Sequence, residues 1–272
     1  MIQNMMSVDL EDYYCDLPFH TWNKFQSRVV MTTKTLLDLF DRYKIRATFF
    51  TLGYIAEKHP ELIKEIVSKG HEISSHGYYH MDLRSMTKDS FEQDLVKSLE
   101  ILRTIGGEKV LGFRAPFFSI SENNLWVFEI MKKYLKYDSS IFPTKTPLYG
   151  ISHAIRNPYM ISNENPLKEE LNGPLLEIPM ATLRIPFLGN LPIAGGFHLR
   201  FWPTSLLKLG IAKINKSGFP AMIYIHPKDL DPHMPRVPEY AWHYYWGLDN
   251  ATKKFESLLK NFRFSSVREV MF

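Results

Sequence analysis

Cysteine is nearly missing from these 272 residues: Cys15 is the only one, so no internal disulfide can form and nothing marks an oxidising compartment. Long apolar runs are missing as well. No stretch approaches the roughly 18 to 20 apolar residues that cross a bilayer, so no membrane span is expected. The first residues, Met1 to Asp9, lack the basic start, apolar stretch and small-residue cleavage site of a signal peptide. The expectation is a soluble, cytoplasmic protein whose fold starts at once. Runs of like charge are absent too. The 33 basic and 29 acidic residues leave a net charge of +4 spread along the chain, too diffuse to argue for a nucleic-acid partner. Neither an internal repeat nor a low-complexity linker divides the sequence.

What is present is core-forming material: 45% of the residues are hydrophobic and 14% aromatic, enough to bury one long domain or a domain with an appendage. Up to about residue 142, short apolar runs alternate with amphipathic stretches, the pattern of strand-helix units around a mainly parallel sheet. The first strand is Gln3 to Asp9. Leu36, Phe40 and Tyr43 then form one helical stripe. Ala47 to Leu52 reads as a buried strand ended by Gly53. A helix from Pro60 to Lys69, with Gly70 in the left-handed cap position, leads to a strand from Glu72 to Ser75. Thr87 caps a helix whose face is Phe91, Leu95, Leu99 and Leu102, stopped by Gly106. Val110 to Arg114 is a further strand.

From about residue 144 to 172 the rhythm breaks, and an irregular excursion is expected. Leu175 to Pro179 is a short strand with Glu177 facing away from Leu176 and Ile178. Alternation then resumes with a helix from Pro203 to Lys216, a strand from Ala221 to Ile225, a helix carrying Phe255, Leu258, Leu259 and Phe262, and a last strand including Ser265 to Val267.

The chemistry gathers at predicted strand ends. His76-Gly77-Tyr78-Tyr79-His80 puts two imidazoles four residues apart, where they can reach one metal from a single helical turn. Ten histidines in this length give roughly 0.4 such pairs by chance, so the spacing alone decides nothing. Its position after a strand adds weight, because α/β sheets and barrels place their sites there. The first strand also ends in acids, Asp9, Glu11 and Asp12. Two neutral imidazoles on a divalent metal need an anionic oxygen, and a second carboxylate could act as base. Glycine follows His76, so the base of a His-Glu-x-x-His metalloprotease is missing and that reading is disfavoured. Arg114, at a strand end, could fork onto a site carboxylate. His226, fixed by Pro227, is a candidate general acid.

In order, Ser7-Val8-Asp9-Leu10-Glu11-Asp12, His76 to His80, Arg114-Ala115-Pro116, Tyr137-Asp138-Ser139-Ser140 and His226-Pro227 resemble the polysaccharide deacetylases of carbohydrate esterase family four. The tail, through Trp242 to Asp249 and Asn261 to Phe264, resembles an exopolysaccharide-associated branch, as does Ala194 to Arg200. The resemblance covers nearly the whole chain. It implies a distorted (β/α) barrel with about seven parallel strands, residues 1–232, with an extension at 233–272 packed on the same domain. It implies Asp9 as general base, Arg114 as its orienter, His226 as general acid, and His76 and His80 as ligands of a divalent metal, with zinc the expected ion. The third ligand stays open between Asp12, slightly favoured, and Glu11. Lys228-Asp229 departs from the usual aromatic-acid pair after the late histidine and leaves its support unassigned.

The activity so implied is hydrolysis of the N-acetyl group of an acetamido-sugar in a bacterial glycan, with the acetylated glycan as partner and acetate as product. A backbone N–H near Tyr78 and Tyr79 is expected to stabilise the oxyanion. Phe117, Phe118, Trp242 and Trp246 are read as core residues first and sugar-stacking residues second. The rivals are hydrolysis of another amide, such as the acetamido group of peptidoglycan or a cyclic ureide, and an inactive carbohydrate-binding protein.

Overall fold

The computed structural model describes residues 2–107 and 109–272. Its first half is a regular alternation: β1 (Gln3–Leu10), α1 (Val29–Tyr43), β2 (Thr48–Thr51), α2 (Gly53–Lys58), α3 (Pro60–Ser68), β3 (Glu72–Ser75), α4 (Lys88–Gly106), β4 (Gly112–Phe113), α5 (Val127–Tyr134) and β5 (Tyr137–Asp138). The second half holds β6 (Tyr159–Met160), β7 (Leu176–Glu177), a hairpin of β8 (Thr182–Ile185) and β9 (Gly189–Pro192), α6 (Gly196–Phe201), α7 (Thr204–Lys216), β10 (Met222–Ile225), α8 (Leu248–Asn261), β11 (Arg263–Ser265) and α9 (Val267–Met271). No helix among the described residues is long and apolar enough to cross a membrane.

The large sheet runs β10-β1-β2-β3-β4-β5-β7-β6, parallel throughout except for β6 at its edge. β11 pairs in parallel with the first residues of β1, so the carboxy-terminal extension is built into the sheet. The sheet curls. Main-chain bonds from Ala181 to the Met222 carbonyl and from Gly195 to the Tyr224 carbonyl tie the chain beyond β7 to β10, giving a distorted, partly open (β/α) barrel. β1 is buried along almost its whole length, as a central parallel strand covered on both faces must be.

The local signals explain most elements. Thr87 and Ser90 form a reciprocal capping box at α4, and Pro60 occupies the first turn of α3. The differences also have local causes. α4 runs through Gly106, and Gly107, at φ 64°, makes the left-handed cap. Gly53 opens α2 instead of only ending β2. Val267 begins a helix rather than ending a strand, because the Ser266 side chain accepts the Glu269 N–H as an N-cap. α2 and α6 have six residues each, too few to show a helical period.

Candidate active site

The carboxyl ends of β1, β3, β4 and β10 deliver Asp9 to Asp12, His76, Arg114 and His226 to one place. Glu11, His76 and His80 form the one group of three among the described residues able to offer a metal mutually close ligand atoms, and all three are buried. Glu11 Oε2 lies 2.7 Å from His80 Nε2 and 4.0 Å from His76 Nε2, yet it receives no well-directed hydrogen bond. Each imidazole is fixed from behind. His76 Nδ1 is 2.7 Å from the Arg114 carbonyl and His80 Nδ1 is 2.9 Å from the Cys15 carbonyl. A carbonyl can only accept, so both Nδ1 atoms donate and both Nε2 atoms face the carboxylate. Burial pushes His76 down to about 4, which keeps it neutral and able to ligate. An orphaned, buried carboxylate oxygen between two such imidazoles fits a divalent ion with oxygen and nitrogen ligands.

Burial alone would raise Glu11, but the charge and close approach of His80, the charge of Lys228 and the charge of His226 hold it well below the usual carboxylate range. Desolvation lowers His80, and Glu11 more than compensates, so His80 is raised. The two histidines do not share a helical turn: they sit on a bend after β3, with His80 in left-handed backbone at φ 53°. Asp94 of α4 holds that bend by accepting from the Tyr78 and Tyr79 N–H groups at 2.8 and 3.3 Å. Those two N–H groups are therefore not the oxyanion donors expected from sequence. Gly77 is required here, at φ 75° and with a Cβ that would come within 2.8 Å of Asp94.

Asp12 points elsewhere. Its carboxylate accepts from Ser27 Oγ (2.5 Å), from the backbone N–H groups of Tyr13, Arg28 and Val29, and so pins the start of α1. The slight preference for Asp12 as third ligand does not hold in the structure, because its oxygens accept from Ser27 and from backbone N–H groups at the start of α1, whereas Glu11 is the carboxylate that faces His76 and His80.

Asp9 lies beside the cluster. Its Oδ1 accepts from Arg114 Nη1 at 2.6 Å, and its Oδ2 is 3.9 Å from His226 Nε2. Arg114 is fully buried and makes four hydrogen bonds in all: it also donates to Ser7 Oγ, to the Ser139 carbonyl and to Ser139 Oγ, and its guanidinium lies 4.1 Å over the Phe50 ring. Asp138 braces this frame indirectly, accepting from Ser140 Oγ while Ser140 Oγ accepts the Ala115 N–H. Beside it Glu177 accepts the Ile141 N–H, and burial with the neighbouring Asp138 charge holds Glu177 well above the carboxylate range.

His226 keeps a side chain 22% exposed, the most open of these groups. Its support is Asp229, whose Oδ2 is 2.9 Å from Nδ1 and also accepts the His226 N–H. Burial would lower His226, but the bond to Asp229 and its charge, with that of Glu11, raise it. Asp229 is held far below the carboxylate range: burial opposes this, and His226 and Arg200 outweigh it. Gly196 makes room for it, since a Cβ there would fall 1.7 Å from Asp229 Oδ2.

Sequence reading missed Lys228, whose Nζ reaches Glu11 Oε1 at 2.7 Å and Asp16 Oδ2 at 2.9 Å. It also assigned no role to Asp94, Asp229 or Arg200. Of the four aromatic residues noted, Phe118 is core; Phe117 is 36% exposed with its ring centroid 4.4 Å from that of His80, and Trp242 and Trp246 are exposed.

With this geometry in place, residues 20–133 match the family model described as polysaccharide deacetylase. Over those residues the chain is similar to polysaccharide deacetylases. Residues 139–272 match a second model, described as a domain of unknown function, DUF3473. The chain is similar to the peptidoglycan-N-acetylglucosamine deacetylase of Bacillus cereus, 37% identical over 98 residues that cover 36% of this chain and 36% of that protein. Matches of this kind span only 34% to 39% of the length of such curated relatives. Among solved structures, a protein assigned as a polysaccharide deacetylase from Mycobacterium smegmatis superposes with a TM-score of 0.62 at 18% identity, over 98% of this chain and 89% of that one. Puue allantoinase does so with a TM-score of 0.63 at 19% identity, over 99% and 88%. These two likenesses show the fold, the distorted (β/α) barrel.

Proposed function

We propose that the chain is a metal-dependent N-deacetylase that hydrolyses the acetamido group of a glycan sugar and releases acetate. The observation that carries this reading is the buried, unbonded Glu11 Oε2 facing two imidazoles locked with Nε2 inward, between an oriented carboxylate and a supported imidazole. Its support from comparison is the family match and the name of the Bacillus cereus relative.

Glu11, His76 and His80 would hold the ion, with zinc as the ion of choice for this donor set. A divalent ion there supplies Lewis-acid polarisation of an acetyl carbonyl and acidifies a water. Asp9 takes a proton from the attacking water, aimed by the hydrogen bond it accepts from Arg114 Nη1. On the other side His226, kept protonated by Asp229, gives a proton to the departing amine nitrogen. Arg114, buried under Phe50 and Tyr224, keeps bulk water from the back of Asp9.

The test is metal analysis of the purified protein together with acetate release from N-acetylated chitooligosaccharides and peptidoglycan fragments. We expect acetate in proportion to bound metal. No acetate from any acetamido-sugar after zinc or cobalt is added would sink the reading. Cleavage of a cyclic ureide in the same assay would move the site to a different amide.

A further inference from the structure

A groove of about 650 Å³ lies between α6, the start of α7 and α8, lined by Arg200, Phe201, Thr204, Trp246, Asn250 and Lys253 among others. This is within the size range of ligand clefts, roughly 300 to 1,000 Å³. Its aromatic faces are open: Trp246 is 54% exposed and Phe201 42%. Trp242, 62% exposed, stands at 89° to Trp246 with centroids 5.8 Å apart, and Phe197 stacks on Phe201 at 5.3 Å. Large aromatic rings left in water are costly unless something covers them. Beside them stand hydroxyl, amide and ammonium groups of Thr204, Ser257, Asn250 and Lys253. A flat apolar face flanked by short polar side chains matches a pyranose ring, which offers C–H groups on its faces and hydroxyls around its rim.

The groove shares a part with the active site. Arg200 Nη1 donates to the carbonyls of His243, Tyr244 and Trp246 at 3.2, 3.0 and 2.7 Å, and so holds the aromatic segment. Its Nη2 is 3.2 Å from Asp229 Oδ1, and Asp229 supports His226. One buried guanidinium therefore fixes both the wall of the groove and the support of the candidate general acid. We propose that this groove is a sugar-binding subsite that holds a glycan chain beyond the ring being processed. The choice of an N-acetylated chain rests on the deacetylase reading; the binding of a sugar there does not.

The probes are N-acetylated chitohexaose and chitobiose, titrated by calorimetry against the full chain and its Trp246→Ala and Trp246→Phe variants, with acetate release followed in parallel. The wild type is expected to bind the hexamer about tenfold more tightly than the dimer. Trp246→Ala should erase that difference and lower the hexamer-to-dimer ratio of kcat/KM about tenfold, with Trp246→Phe recovering part of it. Because Trp246 offers Arg200 only its backbone carbonyl, the substitution leaves that bond in place. Hexamer binding that is absent in the wild type, or unchanged in Trp246→Ala, overturns the subsite. So does self-association abolished by Trp246→Ala, which would make the face a contact between copies. Hexamer binding through Trp246 without acetate release would sink the deacetylase reading alone.

Discussion

Lys228 Nζ and Glu11 Oε1 are 2.7 Å apart, and the Lys228 side chain is only 10% exposed. The same ammonium reaches Asp16, so one buried cation balances two carboxylates in the region where the proposed ion would add two more charges. Lys228→Met should leave Glu11 and Asp16 without that partner, at a cost of about 3 to 5 kcal/mol in the metal-free protein. An ion that binds only the folded state offsets part of this loss. Thermal unfolding in chelator and in zinc checks it: the gap between wild type and variant narrows in zinc. An equal gap in both would show that Lys228 and an ion do not share the charge of Glu11.

The two acids between which the sequence leaves the third ligand open should behave oppositely as amides. Glu11→Gln removes the anionic oxygen between His76 and His80, and metal should be lost on dialysis. Asp12→Asn keeps that oxygen and weakens the bonds to the N-terminus of α1, so metal stays and stability falls by about 1 to 2 kcal/mol. Metal content and urea unfolding on both variants decide the matter, and retention of metal by Glu11→Gln would reject Glu11 as a ligand.

Parallel sheets write their periodicity strongly, and β1, β3 and α4 were legible almost to the residue. Sites at their ends were legible too, because His76, Arg114 and His226 each follow a recognisable strand. Other features depend on which chain segments meet in space. Asp12 and Glu11 are neighbours in sequence, and only the turn after β1, which feeds Asp12 into the start of α1, separates their roles. Asp94 and Arg200 act on backbone groups 15 to 46 positions away. No spacing rule encodes such a contact. Lys228 carried one signal: a lysine where the resemblance implies an aromatic residue.

Asp9 and His76 should separate turnover from metal binding. Asp9→Asn keeps the volume and can still accept from Arg114, but it cannot take a proton, so metal content holds while kcat falls by roughly 100-fold or more. His76→Ala should instead lose both metal and activity. Normal rates in Asp9→Asn would remove it as the base.

The His226-Asp229 pair should set the alkaline limb of kcat/KM. His226 is raised above its ordinary value, so the imidazolium persists past pH 6.5 and the rate falls only as pH rises through the higher value. In Asp229→Asn the amide oxygen can still accept from Nδ1, but the Asp229 charge that raises the imidazole is gone, and burial weighs more. The limb should move to lower pH in that variant. A limb that stays in place would mean that another group donates the proton.

His71 gives the fold an acid sensitivity of its own, on the side of the sheet packed against Phe40 and Phe49. Its Nδ1 accepts the Ala47 N–H at 3.1 Å, and burial pushes it down to about 4. The unfolded chain therefore takes up this proton first, near pH 6.5, and the folded chain resists until about pH 4. Stability from this group is complete above pH 6.5 and is lost as pH falls through that window, by about 3 kcal/mol in all and about 2 kcal/mol by pH 5. His71→Phe should cost about 1 to 3 kcal/mol at pH 7, because the Ala47 N–H loses its acceptor. The same variant should lose less on going to pH 5. Urea unfolding at both pH values measures the two slopes, and parallel losses in wild type and variant would show that His71 already carries its proton in the folded protein.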